Sequence, residues 1–217
     1  MTFIPDLPVL LSFSFACLVL FVTPGPDMSL FLAKTVAEGR RSALAAVAGA
    51  ETGCLTHTLL AALGVSALLA ASATAFTILK AVGAGYLLWL AIGAIRHGSA
   101  LSLEDARPAR RAPTLLQSYL AGLGVNLTNP KIVLFFVTFL PQFVSASDPH
   151  AMGKLAFLGV WFVILTTPMS TLLVLAAGRI VKGVRARPRL LRALDYVFAG
   201  VFGLFALHIL ATQSRGL

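Results

Sequence analysis

Six apolar stretches, each long enough to cross about 30 Å of hydrocarbon, dominate this chain: Leu7 to Leu32, Ser42 to Leu69, Phe76 to Ile95, Leu115 to Leu140, Met152 to Ala177 and Ala193 to Leu210. With 58% hydrophobic residues, 12% charged residues and a mean hydropathy of +0.90, the 217 residues are too apolar for a soluble globular domain. Inside lipid every backbone polar group must be satisfied within the protein, which leaves helices as the form such runs can take. The expected fold is therefore all-α, a polytopic membrane protein with six transmembrane helices.

Two of these runs are interrupted, at Thr23-Pro24-Gly25-Pro26-Asp27 and at Thr128-Asn129-Pro130-Lys131. A proline within a helix removes a donor and clashes with the preceding turn, so at membrane depth it survives where protein or a cavity satisfies the freed groups. Superposing the breaks matches Pro26 with Pro130, and Met28 to Leu32 then resembles Ile132 to Phe136 in character. A second, fainter match sets Leu79-Lys80-Ala81-Val82 beside Leu191-Arg192-Ala193-Leu194. Each break opens a unit of three spans. An odd number of spans, repeated, enters the membrane in opposite senses, so two inverted three-helix repeats are expected, 1–96 and 114–217, joined by a cytoplasmic linker at 97–113.

The formal charge of +9 does not point to nucleic acid, because its placement follows the spans. Lys34, Arg40 and Arg41 follow the first span; Arg96, Arg107, Arg110 and Arg111 the third; Arg179, Lys182, Arg185, Arg187, Arg189 and Arg192 the fifth. Of the remaining four, Lys80, Lys154 and Arg215 fall on the other side and Lys131 lies within a span. The positive-inside rule then puts both termini outside the cytoplasm. No Lys or Arg precedes Lys34, so the first run lacks a signal peptide's basic region and is expected to stay as a span. Cys17 and Cys54 show no C-x-x-C or metal spacing and are expected to be inert packing residues.

Pro26 and Pro130 suit the first position of a restarted helix, with Asn129 as an N-cap and Thr23 or Gly25 as a weaker one. Two half-helix N-termini would then face the middle of the bilayer from opposite sides. Their donors suit a carboxylate, while carbonyls freed just before the breaks suit an ammonium. Pro24, Gly25, Pro26, Asp27, Asn129, Pro130 and Lys131 thus form the expected substrate site, and its cargo is an amino acid.

Asp27, Glu51 and Lys131 are ionisable groups well inside spans, where charge is costly and faces a cavity or partner. Asp27 either receives a substrate ammonium or a proton, or stabilises the restarted helix as a negative charge at its N-terminus. Glu51, about 15 Å along a helix from Arg41, is a proton carrier or a neutral hydrogen-bonded acid. Lys131 either pairs with Asp27, the structural ion pair being the favoured form, or meets the substrate carboxylate. His57 shares a helix stripe with Gly49 and Gly53 and is placed at a packed interface, as a neutral hydrogen-bonded ring in preference to a proton relay. Asp27, Glu51 and His57 are the proton-coupling candidates.

The second half of the fifth span carries Thr166, Thr167, Pro168, Ser170 and Thr171, which either offer hydroxyls to substrate or bond locally around a kink. Tyr86, Trp89 and Trp161 line a path or, more commonly for such residues, pack and anchor. Arg192 and Asp195 are expected to form a surface pair. Ala45, Gly49 and Gly53 suit contacts within one chain or between two, so a homo-oligomer stays open. Glu51 and His57, six apart, exclude an H-E-x-x-H zinc site, and there is no G-x-S-x-G elbow, so neither an enzyme nor a cofactor is expected.

Taken together, Thr23-Pro24-Gly25-Pro26, Gly39-Arg40-Arg41-Ser42, Gly83 to Tyr86 with Leu87, Asn129-Pro130-Lys131 and Leu140-Pro141-Gln142-Phe143-Val144 resemble the LysE/RhtB family of bacterial amino-acid exporters over almost the full chain. The resemblance implies a multi-pass carrier of the cytoplasmic (inner) membrane. It would expel homoserine-, threonine-, lysine- or leucine-type cargo using the proton motive force. Two inverted halves would give alternating access by rocking in the surrounding lipid. Export of another small solute or a metal cation is the alternative, although a cation path calls for clustered carboxylates or thiolates.

Overall fold

A computed structural model describes residues 3–97, 113–145, 148–186 and 188–213, and all regular structure among them is helical. Most of the expected 97–113 linker, including Arg107, Pro108, Arg110 and Arg111, lies outside the described residues, as does Arg187.

The first run forms α1 (Leu7–Val22) and α2 (Pro26–Glu38), bent by 50° at the break. The cause is local. The N–H of residue 24 would normally bond the Leu20 carbonyl and that of residue 26 the Val22 carbonyl, but both residues are proline and have none. The last backbone bond of α1 is therefore Thr23 N–H to the Val19 carbonyl, and Pro26 restarts the helix at its first position. Helix α2 ends at Gly39, whose φ of 92° is the one positive φ among the described residues. That conformation suits glycine and lets α3 (Arg40–Ala71) begin at once.

The fourth run follows the same logic. Helix α5 (Leu115–Thr128) opens on a reciprocal Thr114–Gln117 capping box and stops because Pro130 has no N–H for the Asn126 carbonyl, which accepts from Asn129 instead. Asn129 caps α6 (Pro130–Leu134) by accepting the Lys131 N–H at 3.1 Å. The chain continues through a π-helical turn (Phe135–Phe139) and a 3-10 turn (Leu140–Phe143), with a bend of 53°. The expected N-cap at Asn129 and first-turn prolines are what the structure shows.

The remaining helices are α4 (Ala73–His97), α7 (Ala151–Leu175), α8 (Ala177–Ala186) and α9 (Pro188–Gln213). Residues Thr74–Arg96 and Ala151–Leu175 are each apolar and long enough to cross a membrane, and each bent pair is when counted as one span. That makes up to four candidate spans of the six expected. The other two expected runs lie on α3 and α9, which do not reach that measure over their described residues.

Helix α3 packs along α5 and α7, and α4 along α9. The α3–α5 contact is backbone to backbone: a Cβ on Gly49 would collide with the Tyr119 carbonyl, and one on Gly122 with the Ala46 carbonyl. Gly49 and Gly53 of the small-residue stripe thus pack within the chain, against Tyr119 and Asn126. Beside this contact lies an aromatic core in which Phe13, Phe135, Phe136, Phe139, Phe162 and Phe202 are at most 3% exposed. Large apolar side chains such as Leu11, Leu59, Leu120, Ile164 and Leu204 face outward, as expected where the solvent is lipid.

Candidate functional site

The two helix breaks meet. Asn126, four residues before Pro130, donates its side-chain amide to Asp27 Oδ2 at 3.0 Å, and Asp27 is the second residue of α2. In the other direction Lys131, the second residue of α6, sends its ammonium to the Leu20 and Thr23 carbonyls at 3.1 and 2.8 Å. The end of each broken run is thereby tied to the start of the other.

This arrangement corrects two expectations. Lys131 makes no ion pair with Asp27; such pairs do join Lys34 to Glu38 and Lys154 to Asp148. The carbonyls freed before the first break accept from Lys131, so they are not open to an incoming ammonium in this conformation. Burial drives both outcomes, since an unbonded carbonyl beside a cavity costs about 1–3 kcal/mol and the lysine is the donor within reach.

A cavity of about 490 Å³, its mouth included, opens at the junction. Its polar lining is Asp27, Glu51, Cys54, Asn126, Lys131, Thr166 and Ser170, and Phe31, Ile132, Phe162 and Leu173 supply apolar wall. Glu51, from α3, accepts from Thr166 Oγ1 at 3.1 Å and from Ser170 Oγ at 3.5 Å. Thr166 and Ser170 are four apart on α7 and so share a face. The neighbouring Thr167 and Thr171 bond to carbonyls one turn back on the outer side. The polar half of the fifth span therefore divides by face: Thr166 and Ser170 turn toward Glu51, Thr166 also reaching the Phe162 carbonyl at 3.0 Å, while Thr167 and Thr171 serve the backbone. Asp27 lines the cavity, and its Oδ1 is buried with no hydrogen-bond partner, so the carboxylate keeps an unspent acceptor.

Of the expected site residues, Asp27, Glu51 and Lys131 line this cavity. Pro24, Gly25, Pro26, Asn129 and Pro130 lie behind it and shape the backbone. Gly25 also makes room, because a Cβ there would stand 2.9 Å from Lys131 Nζ. His57 is outside the lining. It is 7% exposed and stacked on Phe136 with ring centroids 5.7 Å apart, the packed position between helices that was expected, and its Nε2 has no partner.

Trp161 bonds Ser14 at 2.9 Å, Tyr86 packs on Trp89, and Trp89 is exposed, so these aromatics pack or face outward. Asp195 is 2% exposed and not at the surface, while Arg192 lies over the Tyr196 ring. Asn126 and Cys54 were not expected in the site. A polar amide within an apolar run one turn before a proline was the available signal for Asn126; Cys54 gave none, and it touches Asn126 through a long sulfur contact of 3.5 Å. Among the described residues no three His, Cys, Asp or Glu side chains are grouped to hold a metal ion.

A model of the LysE type translocator family matches residues 18–213. The chain is 31% identical over 184 residues to a homoserine/homoserine lactone efflux protein of Salmonella typhimurium, covering 85% of this chain and 87% of that one. It is 26% identical over 204 residues to a leucine efflux protein of Klebsiella pneumoniae, covering 94% and 95%. An uncharacterised membrane protein of Vibrio cholerae is 29% identical over 200 residues, covering 91% and 94%. No solved structure matches the chain significantly.

Proposed function

The chain belongs to the LysE type translocator family, and from that premise we propose that it exports a small amino acid or a close derivative across the bacterial inner membrane in exchange for protons. The observation that carries this reading is the cavity where the two helix breaks meet, with Asp27 Oδ1 unpartnered and the Glu51 carboxyl held between two hydroxyls.

In this reading the Asp27 carboxylate receives the cargo's ammonium, and the apolar wall around Phe31, Ile132 and Leu173 takes its side chain. The cargo carboxylate meets Lys131, whose ammonium has three donors and uses two on carbonyls. Glu51 exchanges the proton; His57, away from the cavity, is packing. Pro24, Gly25, Pro26, Asn129 and Pro130 hold the breaks open.

Alternating access follows from two inverted units, 1–96 and 114–217, rocking about the cavity. Two features support that division: Asp27 and Lys131 occupy equivalent places in the restarted helices, and the corresponding pairs α3 with α7 and α4 with α9 pack on one another. The Arg40 guanidinium reaches the Leu175 carbonyl at 3.1 Å, so the basic segments after the first and fifth spans share one end. That supports a cytoplasmic placement of this end and external termini.

Purified protein in liposomes, loaded with labelled homoserine or leucine under an imposed pH gradient, tests the proposal. Gradient-driven flux of either that Asp27→Asn removes is expected. A wild-type protein moving no amino acid overturns the assignment.

A further inference from the structure

The end of α1 is a carbonyl site that the chain fills with its own cation. Pro24 leaves the Leu20 carbonyl without its helical donor, and Thr23 ends the helix with its own carbonyl free of any helical bond. Ends of half-helices with such carbonyls are where broken-helix carriers seat a coupling cation, because several carbonyl dipoles point at one spot. Here Lys131 Nζ occupies that spot, 2.8 Å from Thr23 O and 3.1 Å from Leu20 O. Its stem enters from the opposite break, and Gly25 keeps the path clear: a Cβ there would stand 2.9 Å from Nζ and 3.1 Å from Cε.

We propose that Lys131 is a resident cation, seated in a site selective for a primary ammonium, and that its presence there makes the carrier independent of sodium or any other alkali ion. The selectivity follows from the ligand set. Two carbonyls 2.8–3.1 Å from the nitrogen suit directed N–H donors, whereas an alkali ion needs a fuller shell of oxygens, of which this site supplies two. The lysine also links the breaks. Its ammonium holds the last turn of the first half-helix and its backbone belongs to the first turn of α6, so the two half-helices move as one while it is seated.

Lys131→Ala removes a propylammonium equivalent beyond Cβ and leaves room for one. In the purified variant, n-propylammonium chloride is expected to raise the melting temperature saturably by several degrees. Sodium chloride and tetramethylammonium chloride at equal ionic strength are expected not to, and the wild type is expected to respond to none of the three. An equal response to sodium, or none to propylammonium in a folded variant, overturns the proposal. Should Lys131→Ala not survive purification, Lys131→Cys alkylated with 2-bromoethylamine restores an ammonium at the same reach. Recovery of wild-type stability with that reagent and not with iodoacetamide is expected, and equal effects overturn the proposal. Because the readout is stability of the isolated protein, it does not depend on which cargo is exported.

Discussion

Asn126 and Asp27, 99 residues apart in the chain, are joined by an amide-to-carboxylate hydrogen bond of 3.0 Å that brings the last turn of α5 against the first turn of α2. Together with the reach of Lys131 to Leu20 and Thr23, it turns two separate helix breaks into one polar junction under a cavity. Removing one partner leaves the other buried without a bond. Asn126→Leu is therefore expected to lower stability by about 1.5–3 kcal/mol, the range for a hydrogen bond to a charged group, as read by denaturation of the purified protein. An unchanged midpoint would show that the junction does not depend on this bond.

Glu51→Gln keeps the shape and leaves an acceptor for Thr166, but it cannot gain or lose a proton. Exchange of labelled for unlabelled amino acid across liposomes is expected to persist, while net export driven by a pH gradient is lost. Gradient-driven export at the wild-type rate would remove Glu51 from the proton path.

The α3–α5 contact makes a prediction about packing alone. A side chain at Gly122 would meet the Ala46 carbonyl, so Gly122→Val should destabilise by about 1–3 kcal/mol through overpacking. Gly124, two residues on, faces open space; Gly124→Ala should be neutral or stabilising by up to about 1 kcal/mol from helix propensity. Melting curves of the pair decide it, and equal losses at both positions would contradict the contact.

A surface element supplies a pH dependence. In the turn before α7, the Lys154 ammonium and then the His150 backbone N–H bond the Asp148 carboxylate and hold its pKa below the ordinary carboxylate value. A carboxyl depressed in the folded state adds stability that is fully present above its unfolded pKa and is lost as pH falls through the folded one. Both side chains are partly exposed, at 25% for Lys154 and 13% for Asp148, so solvent screens the pair and the effect is on the order of 1 kcal/mol. Asp148→Asn should melt slightly below the wild type at neutral pH, and the two curves should converge under acid conditions. A gap that persists there would assign the loss to something other than this charge.

Orientation can be tested directly. A cysteine placed at the N-terminus of a Cys17→Ser, Cys54→Ser background is expected to react with an impermeant thiol reagent added outside intact cells. Labelling only after lysis would reverse the proposed topology.

Much of this site could be read from residue order because a proline acts on its own neighbourhood. The missing N–H of Pro24, Pro26 and Pro130 breaks α1 and α5 wherever the rest of the chain lies, and Asn129 caps α6 through an atom two residues from its donor. Glu51 and Asp27 were legible for a related reason: a carboxyl in an apolar run needs a cavity or a partner. Which partner each group takes was not legible. The pairing of Lys131 with Asp27 was expected from opposite charge, and a packed chain settled it otherwise, since the orphaned carbonyls of Leu20 and Thr23 lay closer to the ammonium. His57 likewise went to Phe136 and Asn126 to Asp27.

By itself, then, the order of residues determined an all-helical membrane chain, the two places where its helices break, and the family to which it belongs, because these depend on backbone donors and apolar length counted along the chain. Tertiary structure decided that the breaks face each other, that the lysine of one seals the open end of the other, and that two hydroxyls of α7 hold Glu51. Those outcomes depend on distances between residues far apart in sequence, which are set when glycine-faced helices pack closely enough for one break's donors to reach the other's acceptors.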